Sequence, residues 1–405
     1  MKMRTLGTVA TYINGRAFKP SEWENVGKPI IRIQNLSNTD ASFNYSAGKF
    51  EEKYLVHDED LLFAWSASLG AHIWKGEEAW LNQHIFRVVP NEDISRDYLY
   101  FYLLTVVADL YSKTHGSGMV HITKAPFMNT PIPVPPLPEQ KRIVARIEEL
   151  FSELDNGVET LKKTKQQLAV YRQSVLKAAF EGRITKHQHF DEKLDWALGG
   201  EINSLPTIPS EWRYIALSKL GELGRGKSKH RPRNDPKLFI GGKYPFLQTG
   251  DVKAAKQYII EYSKMYGEFG LQQSKLWPKG TLCITIAANI AETAFLGIDA
   301  CFPDSVVGFV PYECIDSRYI KYFIESQKLR LWAFAPATAQ KNINLDTLEN
   351  LIVPYCSLEE QRAVIAEIES RLSVCDSIEK AVDATLQQAE SMRQSILKKA
   401  FEGGL

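Results

Sequence analysis

The chain has 405 residues, of which 44% are hydrophobic and 24% charged, as is usual for a soluble globular protein of two to four domains. Its formal net charge of +1 lacks the overall basicity that would by itself indicate nucleic-acid binding. No apolar run reaches the roughly 18 residues of a membrane span, and no apolar leader follows the first methionine, so we expect a cytoplasmic protein with no membrane partner.

The first predicted element is a globular block, residues 1–136. Within it, β-rich runs at 30–33, 61–65 and 85–89 are separated by Gly, Pro, Asn and Asp residues, and a helix is predicted at 98–110. No regular alternation of strand and helix is visible, which favours an α+β fold for this block.

A long helix is predicted next, near residues 138–181. Apolar residues recur every three or four positions from Ile143 to Val175, which is the spacing of a coiled-coil helix. Pro138 suits the first turn of a helix, and Gly182 suits the position just past its end.

The second half of the chain repeats this plan. A second block contains β-rich runs at 245–248, 282–286 and 306–310 and a helix at 317–334, and a second long helix follows at 358–402. The predicted segments are block 1–136, helix segment 137–184, polar linker 185–210, block 211–356 and helix segment 357–405.

An internal repeat supports this division. Residues 137–184 and 358–405 align without a gap, and 20 of the 48 aligned positions are identical. About three identities would be expected by chance from ordinary composition. The register extends upstream into the blocks, where 116–118 falls against 337–339. The fold class is therefore predicted as α+β, with two similar globular domains that are each followed by a long helix.

The two long helices are expected to pair with each other. At 1.5 Å per residue, about 44 residues span about 66 Å, which is too long to pack along one small domain. Both helices lie in one chain with a domain-sized return path between them, so pairing within the chain is favoured. The alternative is a dimerisation coil between two chains.

A possible phosphate-binding loop lies at the start of the second block. Residues 221–228, Gly-Glu-Leu-Gly-Arg-Gly-Lys-Ser, match the GxxxxGK[ST] pattern. That mechanism needs a helix directly after the loop, and Pro232 and Pro236 oppose one. An NTPase built on Gly226, Lys227 and Ser228 therefore stays only as a minor alternative.

The same stretch is better interpreted as an extended basic loop. Such a loop can neutralise DNA phosphates and can place Arg or Lys against guanine edges, although a merely solvated loop would have the same composition. The candidate DNA-binding residues in this block are Arg225, Lys227, Lys229, Arg231, Arg233, Gln248 and Thr249.

The first block offers polar candidates in its predicted loops. Each of them, taken alone, is more often structural or simply exposed than a DNA contact. They are Arg16, Lys19, Gln34, Asn35, His121 and Lys124. No HExxH pattern, CxxC pair or cysteine–histidine cluster indicates a metal site, and no motif for a catalytic nucleophile is present, so no catalytic or metal-binding residue is predicted.

Two paired motifs carry a family resemblance. Pro-Pro-Leu-Pro-Glu-Gln-Lys-Arg at 135–142 and Ser-Leu-Glu-Glu-Gln-Arg at 357–362 open the long helices, and Leu-Lys-x-Ala-Phe-Glu-Gly closes both, at 176–182 and 397–403. With Tyr-Pro-Phe-Leu-Gln-Thr-Gly-Asp at 244–251, these motifs resemble the specificity subunit of type I restriction–modification systems over nearly the whole chain.

The resemblance implies a role in DNA recognition. Each block would be a target-recognition domain, and the helices would form an antiparallel coiled coil that sets the distance between two half-sites of a bipartite sequence in double-stranded DNA. The chain would itself be non-catalytic and without a cofactor. Its partners would be two methyltransferase subunits that use S-adenosylmethionine and restriction subunits that use ATP and Mg²⁺. The alternative is a coiled-coil scaffold that binds only proteins.

Overall fold

The computed structural model describes residues 2–38, 40–113, 124–186, 195–198, 201–334 and 342–404. The chain forms two compact units. The first is built from the two ends of the sequence and the second from one continuous middle stretch. Unit 1 comprises Met1–Lys163 and Val382–Leu405, and unit 2 comprises Thr164–Ala381. None of the helices described is both long and apolar enough to cross a membrane.

The first block consists of short strands and helices. In chain order they are β1 (Lys2–Thr5), α1 (Leu6–Val9), β2 (Ala10–Asn14), β3 (Lys28–Ile31), α2 (Ile33–Ser37), β4 (Asn44–Ser46), β5 (Leu55–Val56), β6 (Leu61–Ala64), β7 (Gly70–Ile73), β8 (Ala79–Leu81), β9 (Ile85–Pro90), α3 (Arg96–Lys113), α4 (Lys124–Met128) and β10 (Pro131–Val134). They form two four-stranded sheets, in the orders β2-β9-β6-β7 and β4-β3-β8-β5, and an antiparallel pair of β1 with β10.

Strand β6 shows how the core of this block is arranged. All four of its residues are buried, because successive side chains point to opposite faces and both faces are covered. Leu61 and Phe63 pack in the cluster that contains α3, whereas Leu62 and Ala64 pack in a second cluster with Ile31 of the other sheet. The central strand therefore joins two small cores.

The long helix α5 (Leu137–Phe180) leads into the second block. Its elements are β11 (Asp195–Leu198), β12 (Glu201–Ser204), β13 (Arg213–Ala216), β14 (Gly221–Arg225), β15 (Tyr244–Phe246), α6 (Thr249–Ala254), β16 (Tyr258–Ile259), β17 (Lys264–Tyr266), α7 (Glu268–Gln272), β18 (Leu276–Trp277), β19 (Leu282–Thr285), β20 (Thr293–Leu296), β21 (Ala300–Cys301), β22 (Val306–Pro311), α8 (Ser317–Phe334), α9 (Leu345–Glu349) and β23 (Ile352–Tyr355), and the chain closes with α10 (Leu358–Glu402).

The second block repeats the sheets of the first. The order β14-β22-β19-β20-β16 matches β2-β9-β6-β7 with one added edge strand, and β17-β15-β21-β18 matches β4-β3-β8-β5. The pairing of β13 with β23 likewise matches that of β1 with β10. Each of the six β-rich runs predicted from the sequence overlaps a strand, both predicted block helices are present, and the α+β fold with two similar globular domains is confirmed. The aligned segments 116–118 and 337–339 lie outside the described residues.

The long helices pair antiparallel, as the resemblance implied. In unit 2, Arg172 near the end of α5 pairs with Asp376 at 2.7 Å and Glu379 at 3.0 Å, in the first half of α10. In unit 1, Arg393 near the end of α10 pairs with Asp155 in the first half of α5. The predicted ends of both long helices lie within one residue of the observed ends. Gly182 follows α5 with a φ of 69°, and Gly403 follows α10 with a φ of 84°.

The recurring glutamine of the helix-opening motifs anchors each long helix to its block. Gln140 is fully buried, and its side chain accepts from the Ser95 amide at 2.8 Å and donates to the carbonyls of Asp93 and Pro135. Gln361 makes the same three bonds in unit 2, with Asp316, Cys314 and Cys356. These bonds explain why both helices open on the same glutamine.

The phenylalanine of the helix-closing motifs anchors each helix to the other block in the chain. Phe180, at the end of α5, packs edge-on against Tyr319 and Phe323 of α8, with ring centroids 5.0 and 5.2 Å apart. Phe401, at the end of α10, packs against Tyr98 and Tyr102 of α3 at 5.1 and 5.0 Å. Each unit therefore combines one block with parts of both long helices.

Candidate nucleic-acid interface

The basic residues of the second block begin at the end of strand β14. Gly226 follows Arg225 and donates its amide proton to the Val306 carbonyl at 2.9 Å. A Cβ atom at Gly226 would lie 2.2 Å from the Phe302 carbonyl oxygen and 2.3 Å from that of Pro303, so only glycine allows this close approach. The approach brings the basic loop against residues 302–306.

Two arginines converge on Asp304 as a result. The Nε of Arg225 donates to the Asp304 main-chain carbonyl at 2.9 Å. One terminal nitrogen of Arg233 lies 2.8 and 3.1 Å from the two carboxylate oxygens of Asp304. The side chains of Arg233 and Asp304 are 50% and 42% exposed, so this ion pair lies open to a ligand.

An open pocket of about 350 Å³ surrounds this group. Its wall includes the turn between β19 and β20, where Ala288 has a φ of +62°, a left-handed conformation that costs energy for a residue with a side chain. The polar residues that line it are Arg225, Arg233, Thr249, Asp304, Ser305 and Asn342. The structure therefore brings together three predicted residues, Arg225, Arg233 and Thr249, and adds Asp304, which the sequence analysis did not single out.

The other predicted residues of the basic loop are also exposed, but Arg231 is engaged locally. Its guanidinium donates to the carbonyls of Ser228 at 2.5 Å and His230 at 2.9 Å, which holds the loop in shape. Lys227 and Lys229 have exposed side chains suited to phosphate contact. After these residues come a single 3₁₀ turn at Pro236–Leu238 and then α6, which begins at Thr249. No helix therefore starts directly after the GxxxxGK[ST] match, and the phosphate-binding loop is not formed.

A half-buried contact between His230 and Asp235 closes the far end of the loop. His230 Nε2 lies 2.8 Å from an Asp235 carboxylate oxygen. The pKa of Asp235 is lowered by the hydrogen bond from the Lys237 amide and by the bond to His230. The carboxylate therefore stays ionised and helps to fix the loop that carries Arg231 and Arg233.

Gln248 caps the short helix α6 with its side chain exposed. The main-chain amide of Gln248 donates to the Asp251 carboxylate at 2.7 Å. The same structure occurs in the first block, where the Arg32 amide donates to Asn35 at 3.1 Å at the start of α2. Asn35 is buried, and its amide group also donates to the Ala41 and Ser42 carbonyls, so it holds the loop, whereas Gln34 beside it is exposed.

Arg32 is thus a second residue, after Asp304, that the sequence analysis did not single out. It occupies in the first block the position that Gln248 occupies in the second, and it is half-buried with its guanidinium 5.7 Å from the Trp23 ring centre. Aligning Pro-Ile-Ile-Arg at 29–32 with Pro-Phe-Leu-Gln at 245–248 would have found it.

Arg16 is held by its neighbours in the first block. Its guanidinium donates to Glu22 at 2.7 Å and lies over the rings of Phe18 and Phe50, 4.6 and 4.1 Å from their centres. Lys19 has an exposed side chain, and its amide hydrogen bond to Glu22 is the largest cause of that carboxyl's lowered pKa. Lys124 begins α4, but its side chain lies outside the described part, as does all of His121.

The first block has a different polar group where the second has Arg225. Asn14 ends β2 opposite Phe86, just as Arg225 ends β14 opposite Val307. The Asn14 side chain accepts from the Trp65 indole at 3.1 Å and donates to the Gly15 carbonyl. Within the described residues, neither unit holds a group of three or more His, Cys, Asp or Glu side chains that could bind a metal ion.

Comparisons with known proteins give consistent findings. A family model described as the type I restriction modification DNA specificity domain matches residues 1–169 and 209–388. The chain is 29% identical over 414 residues to the type I restriction enzyme EcoBI specificity subunit of Escherichia coli, covering 99% of this chain and 85% of that one. It is 25% identical over 366 residues to the MjaVIII specificity subunit of Methanocaldococcus jannaschii, covering 87% and 80%.

Two solved structures have a similar fold. One, described as the structural basis underlying complex assembly and conformational transition of the type I R-M system, has a TM-score of 0.71 at 20% identity and covers 100% of this chain and 98% of that one. The HsdS subunit from Thermoanaerobacter tengcongensis has a TM-score of 0.57 at 19% identity, covering 100% and 97%.

Proposed function

This chain belongs to the type I restriction–modification DNA specificity family, and from that premise we propose that its two blocks each read one half of a bipartite sequence in double-stranded DNA. Its role as the DNA sequence-recognition subunit follows from the family; the division of labour between the blocks is our inference. The support for it is that the two blocks share a framework and differ in the polar residues they expose at equivalent places.

The observation that carries the proposal for the second block is the open pocket with Arg225, Arg233 and Thr249 on its wall. Arginine and threonine can hydrogen-bond to base edges in the major groove. Lys227 and Lys229 lie on the loop that leads from Arg225 to Arg233, where they would contact phosphates and position the duplex. In the first block, Lys19, Gln34 and Arg32 are the corresponding candidates.

The chain acts in this proposal without catalytic residues or a cofactor of its own. Methylation would be carried out by two methyltransferase subunits that use S-adenosylmethionine, and restriction by ATP- and Mg²⁺-dependent subunits. The ion pairs of Arg172 with Asp376 and of Arg393 with Asp155 give the two long helices a fixed pairing on which such partners could assemble.

The test is sequencing that detects methylated adenine in DNA from cells that express this chain with the neighbouring methyltransferase subunit. We expect a gapped, asymmetric motif methylated on both strands and absent when this chain is omitted. A stable purified complex that produces no new methylated motif would contradict DNA recognition and would favour a scaffold that binds only proteins.

A further inference from the structure

We infer that Arg225, held by Asp304, forms a reading site for one guanine of the half-site contacted by the second block. This inference rests on the proposed function and deepens it, because it assigns a base to a particular pocket. It also gives Asp304 the role of a positioning residue in DNA recognition.

The first step is the orientation of Arg225. Its Nε is bound to the Asp304 main-chain carbonyl at 2.9 Å, which fixes the guanidinium plane. Its two terminal nitrogens have no hydrogen-bond partner among the described residues, and the side chain is exposed. The N–H groups of these two nitrogens form a fork of two parallel donors, which is the arrangement that binds O6 and N7 of one guanine at the same time.

The second step is the effect of the Asp304 carboxylate. It pairs with Arg233 at 2.8 Å, is 42% exposed and lines the same pocket as Arg225. Because this carboxylate neutralises Arg233, it lowers the positive charge of the pocket and weakens its attraction for phosphate oxygens, whereas it places no such penalty on a neutral base edge. The pocket is therefore biased towards a base and away from the DNA backbone.

The third step is discrimination among the bases. Guanine presents two acceptors in the major groove, and both match the donors of Arg225. Adenine presents one acceptor and an amino donor, so its amino group would face a guanidinium donor and leave it without a partner. The site should therefore select guanine over adenine.

The first block lacks this site. Asn14 stands at the equivalent end of its strand, and both ends of its side-chain amide are already bound, to Trp65 and Gly15. The guanine contact made by Arg225 should consequently have no counterpart at the end of β2 in the first block.

The experiment uses the complete complex with its methyltransferase subunit and the motif found for the wild-type chain. Each guanine of the motif is replaced in turn by 7-deazaguanine, which lacks the N7 acceptor, and binding is measured by competition. For the wild type we expect a position in the half-site contacted by the second block where affinity falls roughly tenfold.

The informative variant is Arg225→Lys, which keeps the charge and removes the fork. It should lose the 7-deazaguanine effect at that position and relax the methylated motif there, while binding to unrelated DNA stays unchanged. Asp304→Asn should bind unrelated DNA more tightly, because the charge of Arg233 is no longer neutralised, and should still discriminate at the same guanine, because the carbonyl that holds Arg225 belongs to the main chain. Arg213→Lys, the same change on strand β13 of the same unit, is the matched control and should leave every position unchanged.

The outcomes separate the inference from the function on which it rests. If Arg225→Lys retains the wild-type motif and the wild-type effect at every guanine, the guanine site is wrong and bipartite recognition stands. If the wild-type complex has no motif, the proposed function fails as well.

Discussion

The two blocks are alike in the contacts they bury and different in the side chains they expose. Tyr98 donates to the Pro133 carbonyl at 2.8 Å, and Tyr319 donates to the Pro354 carbonyl at the same distance. By contrast, the residues at the ends of two equivalent strands differ. Asn14 ends β2 with its side-chain amide fully hydrogen-bonded, whereas Arg225 ends β14 with its two terminal nitrogens unbonded among the described residues.

The physical reason for this difference is the cost of an unpaired buried polar group. A buried carbonyl or amide that loses its partner costs about 1–3 kcal/mol, so the anchoring bonds tolerate little change. An exposed side chain at a strand end is solvated in the absence of DNA and can be exchanged at low cost in stability. A duplicated framework can therefore present two different reading surfaces.

The comparison of the helix ends gives the largest expected effect. Phe180 is 4% exposed, whereas Phe401 is only half-buried against its two tyrosines. We expect Phe180→Ala to lower the free energy of unfolding of unit 2 by about 3–5 kcal/mol. Phe401→Ala should cost unit 1 less, because less apolar surface is lost. Hydrogen exchange in α8 and α3 would report each unit separately.

A control for this comparison is Val170→Ala on α5, where the side chain is 67% exposed and the change should cost about 0.5 kcal/mol or less. Equal destabilisation by Phe180→Ala and Phe401→Ala would show that burial does not govern the two anchors.

The anchoring glutamines should give a smaller effect of equal size in the two units. Gln140→Ala and Gln361→Ala each remove three hydrogen bonds and leave buried main-chain groups without partners. We expect a loss of about 2–3 kcal/mol in each case, measured by chemical denaturation. Gln388→Ala, an exposed position on α10, is the control. A large difference between the two variants would break the equivalence of the two anchors.

The smallest expected effect is on the pH dependence of stability. It should occur in unit 2, which has Asp316, and not in unit 1, which has Ser95 at the equivalent position. Burial raises the pKa of Asp316, but the hydrogen bonds and charge of Arg318 outweigh it and the net pKa is lowered. The stabilisation is therefore present above the unfolded aspartate's pKa of about 3.9 and is lost as the pH falls through the lower folded-state pKa. Ser95 holds the equivalent position in unit 1, bonded to Gln140 as Asp316 is to Gln361.

Asp316→Asn should therefore cost about 1 kcal/mol or less near neutral pH and should remove this acid sensitivity from unit 2. Thermal unfolding at neutral pH and near pH 3 would measure both. If the variant and the wild type lose stability equally on acidification, the carboxylate of Asp316 is not the responsible group.

The long helices could be predicted to within a residue because their evidence is local. The repeat of apolar residues, Pro138 in the first turn and the glycines beyond the ends all act over one or two turns. The strands were located less sharply. The run at 30–33 was predicted as one strand, yet β3 ends at Ile31 and α2 begins at Ile33, because the Asn35 side chain accepts from the Arg32 main-chain amide and stabilises the start of the short helix.

The sequence by itself determined the duplication, the two long helices, the α+β class and the family to which the chain belongs. Only the tertiary structure decided which polar residues share a pocket. Arg225 and Arg233 meet Asp304 across 79 and 71 positions of sequence, and the contact depends on the close approach at Gly226. Periodicity and capping act between near neighbours along the chain, so a hydrogen bond over that separation leaves no pattern that a single sequence can show.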